Sequence, residues 1–242
     1  MEKIFSHPKS LRNISTHYCA GCGHGIAHRL IAEVVDELGI RERVIGIAPV
    51  GCAVVAYDYW VFDCSEAAHG RALAVATGIK RVRPENIVFT YQGDGDLAAI
   101  GTNETIHAAN RGENLTVIFI NNAVYGMTGG QMAPTTLLGQ KTATTPEGRS
   151  SQLHGYPLKI SEMLSPLAGV KYIERTSLYS PQEVIKTKKA IKQAFQNQID
   201  NIGFSLVEVL SPCPMYWDLS PKEALDWIRE VMVKEFPLGK IK

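Results

Sequence analysis

Gly93-Asp94-Gly95-Asp96 stands directly after an apolar stretch, Ile87–Tyr91, and directly before small residues with helical spacing. Glycines at such a place permit a tight turn and close approach by a ligand. The helix that follows points its free N–H groups back at the turn, which makes an anion site. Two carboxylates would repel a bare phosphate, but they make chemical sense when a divalent cation stands between carboxylate and phosphate. A second polar pair, Asn121-Asn122, ends the next apolar stretch, Leu115–Ile120. Asp94 and Asn122 are 28 positions apart, a spacing that a strand–helix–strand unit can close so that both reach one Mg²⁺. The alternative is ordinary turn chemistry, since Gly, Asp and Asn crowd turns of every kind. The recurrence of polar tips on two successive strands favours a ligand site.

The cysteines form the second constellation. Cys19-Ala-Gly-Cys22 is a glycine-rich CxxC, Cys52 follows Pro49-Val-Gly, and Cys213 lies in Ser211-Pro-Cys-Pro. Alone, the CxxC reads as a zinc half-site, a redox dithiol or a coincidence. Four cysteines in loops can supply a Cys₄ site, and zinc or a [4Fe–4S] cluster satisfies that count equally. Cys64 follows the aromatic run Tyr57 to Phe62 and reads as a small buried hydrophobe with no assigned role.

The elements that must carry these residues follow from periodicity. Ile26, Leu30, Ile31, Val34, Val35 and Leu38 repeat at helical spacing, which predicts a helix over 24–38 capped by Gly39. Strands are expected at 44–48, 87–91, 115–120, 170–174 and 204–210, and helices at 68–80, 96–110, 182–196 and 221–236. Ser220 and Pro221 open the last helix. The near-continuous apolar strands are of the kind that parallel sheets bury on both faces. The alternation predicts an α/β fold with a single doubly wound, mostly parallel sheet. Residues 123–160 are rich in Gly, Thr and Pro, long for a loop, and expected to serve function or partner contact. The expected organisation is an N-terminal arm over 1–18, one ligand-binding domain over 19–215, and a C-terminal helix and tail over 216–242 packed on it.

The chain has 242 residues, 45% apolar and 20% charged, with a net charge of +1. That length supplies a core without a disulfide scaffold. The charge balance makes no case for nucleic acid. No apolar run is long enough for a membrane span or a signal peptide, so a cytoplasmic protein is expected.

Residues 93–131 resemble the thiamine diphosphate (ThDP) signature. More narrowly, they resemble the β subunit of the 2-oxoacid:ferredoxin oxidoreductases, in particular members acting on 2-oxoisovalerate or 2-oxoglutarate. The likeness runs over residues 15–215 and implies a ThDP-binding fold. It implies Mg²⁺ held by Asp94, the Asn122 side chain and the Val124 carbonyl, and a diphosphate cradled by Gly93, Gly95 and Asp96, with Gly51 also beside the cofactor. Tyr125 and Thr128 would form part of the pocket wall and act with His69 as catalytic groups. His69, in His69-Gly70-Arg71, would donate to the diphosphate or a substrate carboxylate; as a bare motif it also reads as a helix cap. The likeness also chooses [4Fe–4S] over zinc for Cys19, Cys22, Cys52 and Cys213. His24 would tune that cluster or cap its helix.

The implied activity is oxidative decarboxylation of a 2-oxoacid with coenzyme A, giving acyl-CoA and CO₂, with electrons passing through the cluster to ferredoxin. Such chemistry needs a glutamate at the aminopyrimidine. An α-type partner subunit is expected to supply it on a pyrimidine-binding domain, alongside γ and ferredoxin-like δ subunits, because this chain shows one sheet and no ferredoxin-type cysteine run. Where many relatives have lysine, this chain has Gly129. That points to a non-acidic side chain such as that of 2-oxoisovalerate, with a 2-oxoglutarate- or pyruvate-specific member of the same family as the alternative. The competing classes are a non-redox ThDP decarboxylase or synthase subunit, and an interaction subunit that has lost the cofactor.

Overall fold

A computed structural model describes residues 6–242; the first five residues of the expected arm lie outside the described residues. The elements run α1 (His24–Leu38), β1 (Val44–Pro49), a 3₁₀ turn (Val54–Asp58), β2 (Asp63–Ala67), α2 (Ala72–Val82) and β3 (Ile87–Gly93). A π turn (Asp96–Ile100), α3 (Thr102–Arg111), β4 (Thr116–Asn121), α4 (Ser151–His154), α5 (Ile160–Leu164) and β5 (Val170–Ser177) follow. The chain ends with α6 (Pro181–Ile199), β6 (Phe204–Leu210), α7 (Pro214–Trp217), α8 (Pro221–Trp227), a second π turn (Ile228–Met232), α9 (Val233–Glu235) and β7 (Gly239–Lys240).

The seven strands form one sheet in the order β2-β1-β3-β4-β6-β5-β7. Every pairing is parallel except that of β7, which runs antiparallel to β5. Successive residues of the central strands face opposite layers, as the pleat demands. Ile118 and Ile120 of β4 pack with α1 and α6, whereas Val117 and Phe119 pack with α2, α3 and α5. Helices therefore cover both faces, as expected for a doubly wound sheet.

α1 spans the expected residues and ends at Gly39, whose φ of 64° closes the helix in the left-handed conformation. α8 opens with Ser220 and Glu223 in a reciprocal capping box behind Pro221. Several expected boundaries move, two of them beside the cavity. The helix expected from 68 begins at Ala72, because 63–67 form β2 and Gly70 has φ 76°, outside any right-handed helix. The helix expected over 96–110 opens with a π turn before α3. Lys80 is buried and donates to the carbonyls of Pro84 and Asn86. Among the described residues, no helix is long and apolar enough to cross a membrane.

One polar cluster sits inside the core beneath the end of β4. Arg175 and Glu208 are each 1% exposed and pair at 2.8 Å. Glu208 also accepts from Asn121 Nδ2 at 2.7 Å and from the Ser161 hydroxyl, while Arg175 reaches Glu162 at 2.6 Å. Removing one member leaves a buried charge without its partner. Glu208→Ala is therefore expected to lower stability by about 3–5 kcal/mol. Urea unfolding measures this, and a loss below about 1 kcal/mol would mean that the pair is not desolvated as described.

Candidate functional site

A sheet whose order reverses beside β1 leaves a crevice beyond its strand ends. Here the segments after β1, β3 and β4 enclose a cavity of about 320 Å³, in the range of small-molecule sites. Gly51 and Cys52 follow β1; Gly93, Asp94 and Gly95 end β3; Asn122, Val124, Tyr125 and Thr128 follow β4; His69 leads into α2. One cavity thus gathers every expected cofactor-binding and catalytic residue except Asp96.

Asp94 is 3% exposed. Burial pushes its carboxyl up to about 7, against the hydrogen bonds that favour the charge. Those donors are Thr135 Oγ1 at 2.9 Å and the Gly95 amide at 3.0 Å. The Asn122 side-chain nitrogen, in the amide orientation its neighbours require, lies 3.2 Å from Asp94 Oδ2 and 2.7 Å from the Val124 carbonyl. Asp94, Asn122 and Val124 thus lie side by side. Asp96 turns the other way, accepting from His69 Nδ1, the Gly70 amide and Gln92.

Tyr125 lies across Gly95 so closely that a Cβ there would stand 3.0 Å from the ring, and only glycine leaves the gap. A Cβ built on Gly93 or Gly51 would meet nothing within 4 Å, so both leave room at the cavity wall. That room fits a bound diphosphate-type group. The Thr128 hydroxyl donates to Gln131, whose amide returns a bond to the Thr128 carbonyl at 2.8 Å. His24 caps nothing; it is buried in the wall, 2.6 Å from the Tyr91 hydroxyl, and burial drops its pKa to about 4.

The metal expectations are corrected. Among the described residues, no three His, Cys, Asp or Glu side chains are grouped to hold a metal ion. At the Asp94 corner there is one carboxylate, and the Asn122 amide meets it as a hydrogen-bond donor rather than as an oxygen ligand. The Mg²⁺ site of Asp94, Asn122 and Val124 is therefore not formed. Cys19, Cys22, Cys52 and Cys213 do not form the [4Fe–4S] ligand set either. Cys19 is exposed and Cys213 buried. Burial pushes the Cys52 thiol to about 11 and Cys213 to about 12, and raises Cys22. Cys64 is a partly buried free thiol on β2 that packs against the core.

Several supporting residues lie outside any motif. Thr135 is fully buried against Asp94, and Thr136 donates to the Ala123 carbonyl at 2.7 Å. Arg149 donates to six backbone carbonyls, those of Ala133, Pro134, Thr136, His154, Gly155 and Tyr156. It thereby orders the loop that delivers Thr135. The clue was a lone arginine in a loop of Gly, Thr and Pro, but no spacing rule identifies it.

The raised carboxyl has a sign that can be checked. Between 3.8 and about 7 the folded state holds the Asp94 proton that the unfolded chain has released. Folding stability from this group is therefore full below 3.8 and falls as pH rises toward 7. Asp94→Asn removes that cost. Its advantage over the parent in urea unfolding is expected to open between pH 4 and pH 7 and reach about 2–4 kcal/mol at pH 8. A pH-independent difference would mean that the carboxyl is not desolvated.

Comparison with known proteins agrees with this geometry. Residues 49–209 match the family described as "Thiamine pyrophosphate enzyme, C-terminal TPP binding domain". The ketoisovalerate oxidoreductase subunit VorA of Methanothermobacter thermautotrophicus is 53% identical over 98% of this chain and 52% of its own length. The 2-oxoglutarate synthase subunit KorB of Archaeoglobus fulgidus is 40% identical over 90% of this chain and 77% of its own. A solved 2-oxoglutarate:ferredoxin oxidoreductase from Magnetococcus marinus, with 2-oxoglutarate, coenzyme A and succinyl-CoA bound, superimposes with a TM-score of 0.76. It is 27% identical and covers 88% of this chain and 70% of that one. The chain spans about half the length of its VorA relatives. A family match across the sheet, and relatives of this identity over nearly the whole chain, agree with a glycine-lined cavity at the strand ends: the chain belongs to the ThDP-binding, β-type subunits of the 2-oxoacid:ferredoxin oxidoreductase family.

Proposed function

We propose that this chain is the ThDP-binding catalytic part of a CoA-acylating 2-oxoacid:ferredoxin oxidoreductase. The observation that carries the reading is the cavity beyond β1, β3 and β4, with room at Gly51 and Gly93 and a hydrogen-bonded polar corner at Asp94 and Asn122. ThDP, when bound, supplies a nucleophilic carbon and an electron sink for the loss of CO₂. The glycines leave space for the diphosphate, and the Asn122–Thr128 segment lies alongside it. Ile100, Ile120 and Val124 exclude water from that wall. Tyr125 adds a ring whose hydroxyl keeps its proton, since burial and then the nearby Asp94 raise its pKa. His69 offers an imidazole to the reactants.

No glutamate lines the described cavity, which speaks for an α-type partner that brings the aminopyrimidine glutamate. Coenzyme A is the acyl acceptor and ferredoxin the electron acceptor, reached through other subunits of the complex. An apolar 2-oxoacid such as 2-oxoisovalerate is the favoured substrate. Gly129 stands at φ 113°, a conformation that a lysine would adopt only with strain, and half-exposed Met127 beside it is an adaptable apolar wall. A distal carboxylate would bear an unpaired desolvation cost there.

In the complete complex, kcat/KM for 2-oxoisovalerate should exceed that for 2-oxoglutarate by about tenfold, a difference of about 1.4 kcal/mol. A tenfold preference for 2-oxoglutarate would reverse the substrate assignment. The single chain should show no CoA-dependent oxidation, and substantial activity by it alone would refute the need for a partner. Release of CO₂ with no reduction of ferredoxin would favour a non-redox decarboxylase or synthase instead.

A further inference from the structure

We propose that Asp96 is the positioning residue for His69, and that the pair holds this imidazole with its proton on Nδ1 so that Nε2 meets the reactants as a hydrogen-bond acceptor. The inference rests on the ThDP-enzyme reading only for what the reactants are. The dyad itself stands on geometry.

The Asp96 side chain is 1% exposed, and its carboxylate takes three donors. His69 Nδ1 lies 2.7 Å and the Gly70 amide 2.5 Å from Oδ1, while Gln92 Nε2 lies 2.6 Å from Oδ2. Both carboxylate oxygens already accept from amide N–H groups, that of Gly70 on Oδ1 and that of Gln92 on Oδ2, so both stand as acceptors. The hydrogen in the His69–Asp96 bond therefore belongs to Nδ1, and in the neutral ring Nε2 is left with a bare lone pair. His69 lines the cavity and Asp96 does not. Any effect of Asp96 on the reactants therefore passes through the ring.

The turn that presents the ring is fixed as well. Gly70 has φ 76°, and a Cβ on it would stand 2.7 Å from the Ile100 backbone. The 69–70 turn thus packs against the π turn that Asp96 begins. The Gly101 amide closes the same turn onto the Asp96 carbonyl at 2.8 Å. Backbone and side chain of Asp96 therefore tie the His69 turn to the end of β3, beside the Gly93–Gly95 wall. Gln92 has its Oε1 buried with no hydrogen-bond partner. An asparagine at 96 can donate to that oxygen, so Asp96→Asn removes the charge with little change of shape.

The first test reads the tautomer without any reactant. The full chain is labelled with ¹⁵N-histidine, and long-range ¹H–¹⁵N correlation is recorded near pH 8, with His69 assigned by its loss in His69→Gln. A protonated Nδ1 and an unprotonated Nε2 are expected; a proton on Nε2 would overturn the proposal. This measurement uses the parent sequence, so it decides even if no variant folds, and it stands whether or not the chain acts on 2-oxoacids. The second test uses the complete complex. Asp96→Asn should lower kcat by about 10–100-fold, with KM for the 2-oxoacid and the affinity for ThDP within about threefold. The double variant Asp96→Asn/His69→Gln should be no slower than His69→Gln alone, since a group acting through another has no effect once that group is gone. Multiplying losses, or an Asp96→Asn complex with parental kcat, would overturn the proposal. A parent complex that binds no ThDP would instead refute the functional reading and leave the tautomer result intact.

Discussion

A carboxylate buried at the tip of a central strand is costly, and much of the loop architecture offsets that cost at Asp94. Three donors reach the carboxylate: the Gly95 amide, the Thr135 hydroxyl and the Asn122 amide. Only the first is local. Thr135 comes from a loop that would not be ordered by its own composition, and Asn122 sits on a turn whose next residue, Ala123, has φ 56°. Each donor therefore needs a support of its own. Thr136 and Gln140 both donate to the Ala123 carbonyl, and Trp217 Nε1 donates to the Asn122 carbonyl at 3.0 Å. Elements from residue 93 to residue 217 thus converge on one side chain.

Two arginines do this supporting work by different physics. Among the described residues Arg149 pairs with no acid; its guanidinium satisfies backbone carbonyls of the loop around it. Arg175 is in an ion pair, and the pair reaches the site through Asn121. Glu208 fixes the Asn121 amide, and the Asn121 side-chain oxygen accepts from the Ala123 amide at 3.2 Å. One network thus clamps the loop beside the cavity, and the other clamps the strand end from within the core. Neither arginine lines the cavity.

The parts legible in the sequence are those whose physics is local. Gly39 as a cap, Ser220 with Pro221 as a helix start, and the burial of β4 on both faces each follow from a few neighbouring residues. β2 escaped because an edge strand needs only backbone pairing on one side, and Asp63-Cys-Ser-Glu-Ala carries no apolar run. β7 is two residues long and pairs across the sheet edge with β5. Asp94 and Asn122 were found because strand ends converge in this topology whatever the side chains do. Thr135, Arg149 and Glu208 were not, because their roles depend on which loop crosses which strand end. The metal sites failed for a related reason. Residue types and spacing bring the candidates near one another, but coordination needs several donors aimed at one point. Here the amide of Asn122 turns to donate, and among the described residues no three His, Cys, Asp or Glu side chains are grouped to hold a metal ion.

The arrangement also separates what must stay fixed from what can vary. The polar corner at Asp94 is held by the core networks, whereas the 126–130 segment is held by the Tyr125–Gln131 bridge and by the Ala143 amide, which donates to the Gly130 carbonyl at 2.9 Å. Tyr125 and Gln131 pair through the backbone, and the Gly130 amide closes onto the Tyr125 carbonyl at 2.9 Å. Within that loop Met127, Thr128 and Gly129 are exposed, and Gly129 and Gly130 both take left-handed backbone conformations. None of these three side chains bonds to Asp94 or to its donors. A change of residue at 127–129 therefore alters this edge of the cavity without loosening the Asp94 corner. A cation at Gly129 would require the loop to rebuild its backbone, because a lysine cannot take φ 113° without strain. Which side chains this edge of the cavity can present is thus set first by loop conformation, and by residue identity only within what that conformation admits.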